Sequence, residues 1–111
     1  MTDAREEPEE TIMTEQEQWC KIIQDVANEQ NYEIENPDYR KFQIFIDRWN
    51  AVAFQVFNNT SSGYIEVSQW EGESEEDAGY GRGVYSLRSM SDVIEFCNIL
   101  IASANIRARR R

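Results

Sequence analysis

Apolar positions recur along this chain in two rhythms. Trp19, Ile22, Ile23 and Val26 fall at i, i+3, i+4 and i+7, one stripe of an amphipathic helix whose other face carries Glu15, Gln18, Asp25 and Glu29. Thr14 and Glu17 have the spacing of a capping box, so the helix is expected from about Glu15 to Glu29. Asn31 to Asp38, with Asn36-Pro37-Asp38 inside it, reads as a linker and turn. From Tyr39 the period falls to two. Phe42, Ile44 and Ile46 alternate with Lys41, Gln43 and Phe45, and Val52, Phe54 and Val56 alternate with Ala53, Gln55 and Phe57. Both runs are strands with one face in a core, joined as a hairpin or running on as one long bent strand.

The turn cluster Asn58 to Gly63 leads into a strand from Tyr64 to Trp70, in which Ile65 and Val67 point one way and Tyr64, Glu66, Ser68 and Trp70 the other. A long acidic, glycine-rich loop, Glu71 to Gly83, separates it from a short strand, Val84 to Arg88. A closing helix is expected from Met90 to Ala108, capped by Ser89 or Ser91, with Asp92 and Glu95 near its positive end. Met90, Val93, Ile94, Cys97, Leu100, Ile101 and Ala104 form its core stripe, and Phe96, Ile99 and Ile106 lie outside that stripe. A helix apolar on so much of its surface is sunk in the core or shared with a second copy, and a homodimer through it is expected. The fold class is α+β, in the order α-β-β-β-β-α: a helix, a four-stranded antiparallel sheet and a C-terminal amphipathic helix.

Composition sharpens this picture. With 111 residues, 41% apolar and 12% aromatic, the chain supports one packed core, expected over residues 14–111. Residues 1–13 read as an acidic, disordered tail. No apolar run approaches the roughly 20 residues of a membrane span, and the first ten residues are acidic where a signal peptide is basic and then apolar, so a cytoplasmic protein is expected. The net charge of −10 is uneven: residues 1–35 hold 11 acids against 2 bases, and residues 36–111 hold 10 against 9. Cys20 and Cys97 each sit among apolar residues of a helix and read as buried thiols.

The absence of histidine removes the usual general base and metal ligand. No cofactor, metal site or catalytic constellation is expected, so the chain reads as a binding protein and not an enzyme. Gly79, Gly81 and Gly83 lead into a strand, whereas a phosphate-binding glycine loop opens a helix. The acids between Glu71 and Asp77 lack the spacing of a calcium loop. The remaining constellation is a sheet face carrying Tyr64 and Trp70, with Phe45 and Phe57 as further candidates, near Lys41, Arg48, Arg82 and Arg88. Bases of a single strand stack on such aromatics while cations hold the phosphates.

Tyr64-Ile65-Glu66-Val67-Ser68-Gln69-Trp70, a loop ending Gly81-Arg82-Gly83, then Tyr85-Ser86-Leu87 and a capped helix together resemble the positive-cofactor transcriptional coactivator family of single-stranded-DNA-binding proteins. The resemblance spans about residues 50–101. It implies a curved antiparallel sheet, dimerisation partly through the closing helix, and single-stranded DNA held across the sheet, with Trp70 as stacking aromatic, Arg82 as turn cation and Arg88 as a phosphate contact. The chain departs from that pattern in its additional N-terminal helix, its scarcity of lysine and its acidic loop. Two readings therefore stand: a single-stranded nucleic-acid binder serving transcription or replication, and an acidic interaction module whose carboxylates meet a basic protein. An acidic composition with nine arginines and two lysines also suits a high-salt cytoplasm.

Overall fold

The computed structural model describes residues 13–47, 52–71 and 79–109, with the side chains of residues 71, 79, 80, 82 and 106–109 outside that description. The acidic tail up to residue 12, Arg48 and the acidic run from residue 72 to 78 lie outside the described residues. The element order is α1 (Glu15–Glu29), β1 (Glu33–Glu35), β2 (Lys41–Asp47), β3 (Val52–Asn59), β4 (Tyr64–Glu71), β5 (Gly79–Leu87) and α2 (Met90–Arg109). The five strands form one antiparallel sheet in sequence order, with β1 and β5 at its edges.

α1 begins at the expected capping box. The Glu17 N–H donates to Thr14 Oγ1 at 3.1 Å, and the Thr14 N–H donates to Glu17 Oε1 at 3.1 Å, satisfying two donors that a helix start leaves open. It ends in a Schellman turn. Asn31 takes the left-handed conformation at φ 64°, its N–H reaches Asn28 O at 2.9 Å, and the Tyr32 N–H reaches Ala27 O at 3.0 Å. Asparagine tolerates this conformation because its short polar side chain bonds locally.

That turn hides a strand. The segment expected to be a linker contains β1, whose Glu33, Ile34 and Glu35 pair with Phe45, Ile44 and Gln43, so the sheet has five strands where four were expected. β1 is too short to display a period, and the left-handed residues Asn31 and Asn36 on either side give it the composition of a turn. β5 is likewise longer than Val84 to Arg88, because it begins at Gly79. Its glycines read as loop, but they accompany two breaks in the β4–β5 register. A Cβ on Gly83 would lie 2.5 Å from Glu66 Oε2 and 2.8 Å from Glu66 Cγ, so glycine there leaves room for the Glu66 side chain.

β2 and β3 form a hairpin, with Phe42 opposite Val56 and Ile44 opposite Phe54. The pairing continues from Val56 to Val67 and from Val67 to Tyr85. Since residues opposite one another share a face, one face of the sheet carries Phe42, Ile44, Phe54, Val56, Ile65, Val67 and Leu87, all in the buried core with Trp19, Cys20, Ile23 and Ala27 of α1 and Val93, Phe96, Cys97 and Leu100 of α2. Both helices therefore cover this face, a two-layer α+β arrangement. Buried polar groups are paired across it: Tyr32 Oη donates to Leu100 O at 2.7 Å, Gln24 Nε2 to Asp38 O at 2.8 Å, and Asn58 Nδ2 to Tyr39 O at 3.1 Å. Each bond removes a desolvation penalty of roughly 1–3 kcal/mol.

The core stripe of α2 differs from the expected one. Phe96, placed outside it by periodicity, is 1% exposed, whereas Ile94, placed inside it, is 54% exposed, and Met90 and Ile101 are also exposed. The reason is the aromatic contact beneath the helix. The Phe96 ring meets Phe54 edge-on, with centroids 5.4 Å apart and planes at 84°, and lies 6.0 Å from Tyr85. Apolar pattern alone does not orient a helix that is apolar nearly all round, and the largest side chain that finds a matched site does. Phe96→Ala is accordingly expected to cost about 3–5 kcal/mol of stability, and Ile94→Ala within about 0.5 kcal/mol of nothing. Urea unfolding curves of the two variants measure the difference, and equal shifts would contradict this orientation.

Candidate interaction surfaces

Among the described residues, no helix covers the other face of the sheet, although Gln43, Ala53 and Ser68 on it are buried. β4 sets its composition: because Ile65 and Val67 are fully buried, alternation puts Tyr64, Glu66, Ser68 and Trp70 on the other side. Across the sheet these continue as the rows Lys41–Phe57–Glu66–Ser86 and Gln43–Gln55–Ser68–Gly83, while Phe45 and Ala53 share a row with Glu33. Four aromatics, Phe45, Phe57, Tyr64 and Trp70, thus stand on one face, each partly covered. A polar ladder crosses its middle, with Asn36 Nδ2 donating to Gln43 Oε1 at 2.7 Å and Gln43 Nε2 donating to Gln55 Oε1 at 3.1 Å.

Of the six residues singled out in the sequence, the structure joins two directly. The Arg88 guanidinium carbon lies 4.5 Å from the Tyr64 ring centroid, a cation–π stack worth roughly 0.5–1 kcal/mol at an exposed site. Trp70 opposes Tyr80 near the other end of β4, six residues or about 20 Å from Tyr64 along the strand. Lys41 is exposed and lies two strands from Glu66. Arg82 lies in β5 with its side chain outside the described residues, and Arg48 lies outside them altogether. Glu33, Glu35 and Glu66 share the open face with Lys41 and Arg88, so this face is of mixed sign.

Sequence reasoning missed a second surface, at the edge where α2 turns back over β5. A groove of about 360 Å³ runs there, floored by Tyr85, Leu87, Phe96 and Ile99 and rimmed by Asp92 and Glu95. Val84, also in its lining, is exposed at the irregular step between Tyr85 and Gly83. The start of α2 is tied to this edge: the Asp92 N–H donates to Ser89 Oγ at 3.3 Å, and the Arg88 N–H donates to Asp92 Oδ2 at 2.9 Å. Ser89 is therefore the cap. The available sequence signal was Phe96 and Ile99, two large apolar residues left over from the stripe.

No protein family, no curated protein and no solved structure matches the chain. Among the described residues, no three acidic, cysteine or histidine side chains gather as a metal site, and no helix is long and apolar enough to cross a membrane.

Both thiols are free and buried. Burial, then the negative charges of Glu17 and Asp38, push the Cys20 thiol up to about 12 from an ordinary 9.0, and burial raises Cys97 as well. Asp38 moves the other way: the N–H groups of Arg40 and Lys41 donate to its Oδ1 at 2.8 and 3.1 Å, which holds its carboxyl below the usual range. Because folded Cys20 keeps a proton that the unfolded chain releases above about pH 9, its contribution to stability is complete below that pH and is lost as pH rises towards about 12. The urea midpoint should fall on going from pH 8 to pH 11, and fall less in Cys20→Ala. An identical pH slope in that variant would remove Cys20 as the cause.

Proposed function

We propose that this chain is a non-enzymatic protein-interaction module and that its β5–α2 edge meets the partner. One observation carries the reading: the groove between β5 and α2 is lined by Val84, Tyr85, Leu87, Phe96 and Ile99, and Val84 and Tyr85 stand exposed there. Exposed apolar side chains lining a groove on an otherwise acidic protein mark a contact surface. The groove's chemistry selects its occupant. Tyr85, Leu87, Phe96 and Ile99 take aliphatic or aromatic side chains, and the carboxylates of Asp92 and Glu95 on the rim favour arginine or lysine. A net charge of −10 attracts basic partners at long range. The partner segment is therefore apolar and basic, and β5, as an edge strand, offers main-chain groups to an extended one.

A second reading, single-stranded nucleic acid on the open face, is supported by Arg88 stacked on Tyr64 and by the four aromatics that share that face. Glu66, two positions from Tyr64 on the same strand, opposes the phosphate neutralisation on which such binding depends. The two readings separate in one set of titrations. A fluorescein-labelled peptide alternating valine and lysine is expected to bind the full chain, weakening with salt, while its valine–glutamate counterpart does not bind. Tyr85→Glu should weaken the first peptide roughly tenfold, although it makes the protein more acidic, which separates groove binding from charge attraction alone. Failure of the lysine peptide to bind, together with tryptophan quenching by oligothymidylate that Trp70→Ala abolishes, would replace the first reading with the second.

A further inference from the structure

The middle of the sheet face away from the helices ends in polar groups that the fold does not use. Its amide ladder runs one way. Asn36 donates to Gln43 and Gln43 to Gln55, which leaves Gln55 Nε2 as the last donor, on a partly exposed side chain. Ser68 stands opposite Gln55 on β4. It is 8% exposed, and among the described residues its hydroxyl has no hydrogen-bond partner. A buried hydroxyl left unpaired is destabilising. Gly83 comes next in the row. The Glu66 side chain lies across the gap this glycine leaves, since a Cβ there would meet Glu66 Oε2 at 2.5 Å. Among the described residues the Glu66 carboxylate likewise has no ion pair or hydrogen bond.

N–H groups from Gln55, a hydroxyl from Ser68 and a carboxylate from Glu66 are thus gathered at one place. A polyol satisfies this set, because each of its hydroxyls both donates and accepts, so that neighbouring ones bridge an amide N–H and a carboxylate. The surroundings narrow the choice. Phe57 stands in the row on one side of Gln55 and Ser68, and Phe45 and Trp70 stand on the other, each two residues or about 7 Å along the strands. The C–H faces of a sugar ring are apolar and pack against such side chains, while a few convergent polar groups fix its orientation. Charge argues against other ligands. Glu66 repels a phosphate chain, and Lys41 in the same row repels a cation. An apolar side chain would leave the Ser68 hydroxyl and the Gln55 amide unpaired.

We propose that this face binds a neutral oligosaccharide, its hydroxyls held by Gln55, Ser68 and Glu66 and its rings against Phe57 and Trp70. The proposal goes beyond the groove reading and does not depend on it. Cellohexaose, maltohexaose and mannohexaose are the probes, titrated by calorimetry into the full chain. At least one is expected to bind with millimolar affinity or better, equally at low and moderate salt, where binding of a polyanion would weaken steeply. Ser68→Ala should weaken that sugar roughly fivefold or more and yet raise the urea midpoint, because it removes an unpaired buried hydroxyl. Glu66→Ala should also weaken the sugar. Absence of binding by all three probes would overturn the proposal, as would sugar affinity unchanged in Ser68→Ala. Salt-sensitive binding of oligothymidylate with the three sugars unbound would give the face to nucleic acid instead.

Discussion

The edge-on contact of Phe96 with Phe54 sets the rotation of α2, and most of what the surface offers follows from that rotation. A helix apolar over most of its circumference has several nearly equivalent ways to lie on a sheet. With Phe96 turned down between Phe54 and Tyr85, Val93, Cys97 and Leu100 follow it into the core by helical geometry. Met90, Ile94 and Ile101 are then carried outward. Tyr32, whose hydroxyl donates to Leu100 O, ties the end of α1 to the same helix, so the two helices are positioned relative to one another as well as to the sheet.

Much of this was legible in the residues. The capping box of α1, the alternation in β2 and β3, and the opposed faces of β4 are local patterns with local causes, and they appear where the spacing places them. What was illegible had non-local causes. β1 exists because Ile44 offers Ile34 a partner on the neighbouring strand, and three residues between two left-handed asparagines display no period of their own. The first half of β5 is held by β4, while its glycines carry the composition of a loop. The core face of α2 depends on a ring in β3, which no pattern within α2 reports.

The candidate site was legible in the same partial way. Tyr64 and Arg88 are 24 positions apart in sequence and meet because β4 pairs with β5, with Ile65 opposite Leu87, a register that aligns the start of one strand with the end of the other. The open face then receives its acids by the same alternation that gives it its aromatics: Glu66 and Tyr64 are two apart on one strand. No rearrangement of side chains separates those two sets, so the face remains of mixed sign among the described residues. Its central row of Gln43, Gln55, Ser68 and Gly83 is small or amide-bearing, which makes the middle of the sheet a hydrogen-bonding floor more than a stacking platform.

The groove beside β5 and the exposed apolar residues Met90, Ile94 and Ile101 lie on different flanks of α2. At 100° per residue, Ile99 in the groove lies on the order of 140–160° around the helix from the exposed Ile94 and Ile101. Glu95, Asn98 and Ala102 lie on the arc between them. The helix departs from simple amphipathicity partly because one flank lies against β5 while one face lies against Phe54 and the core.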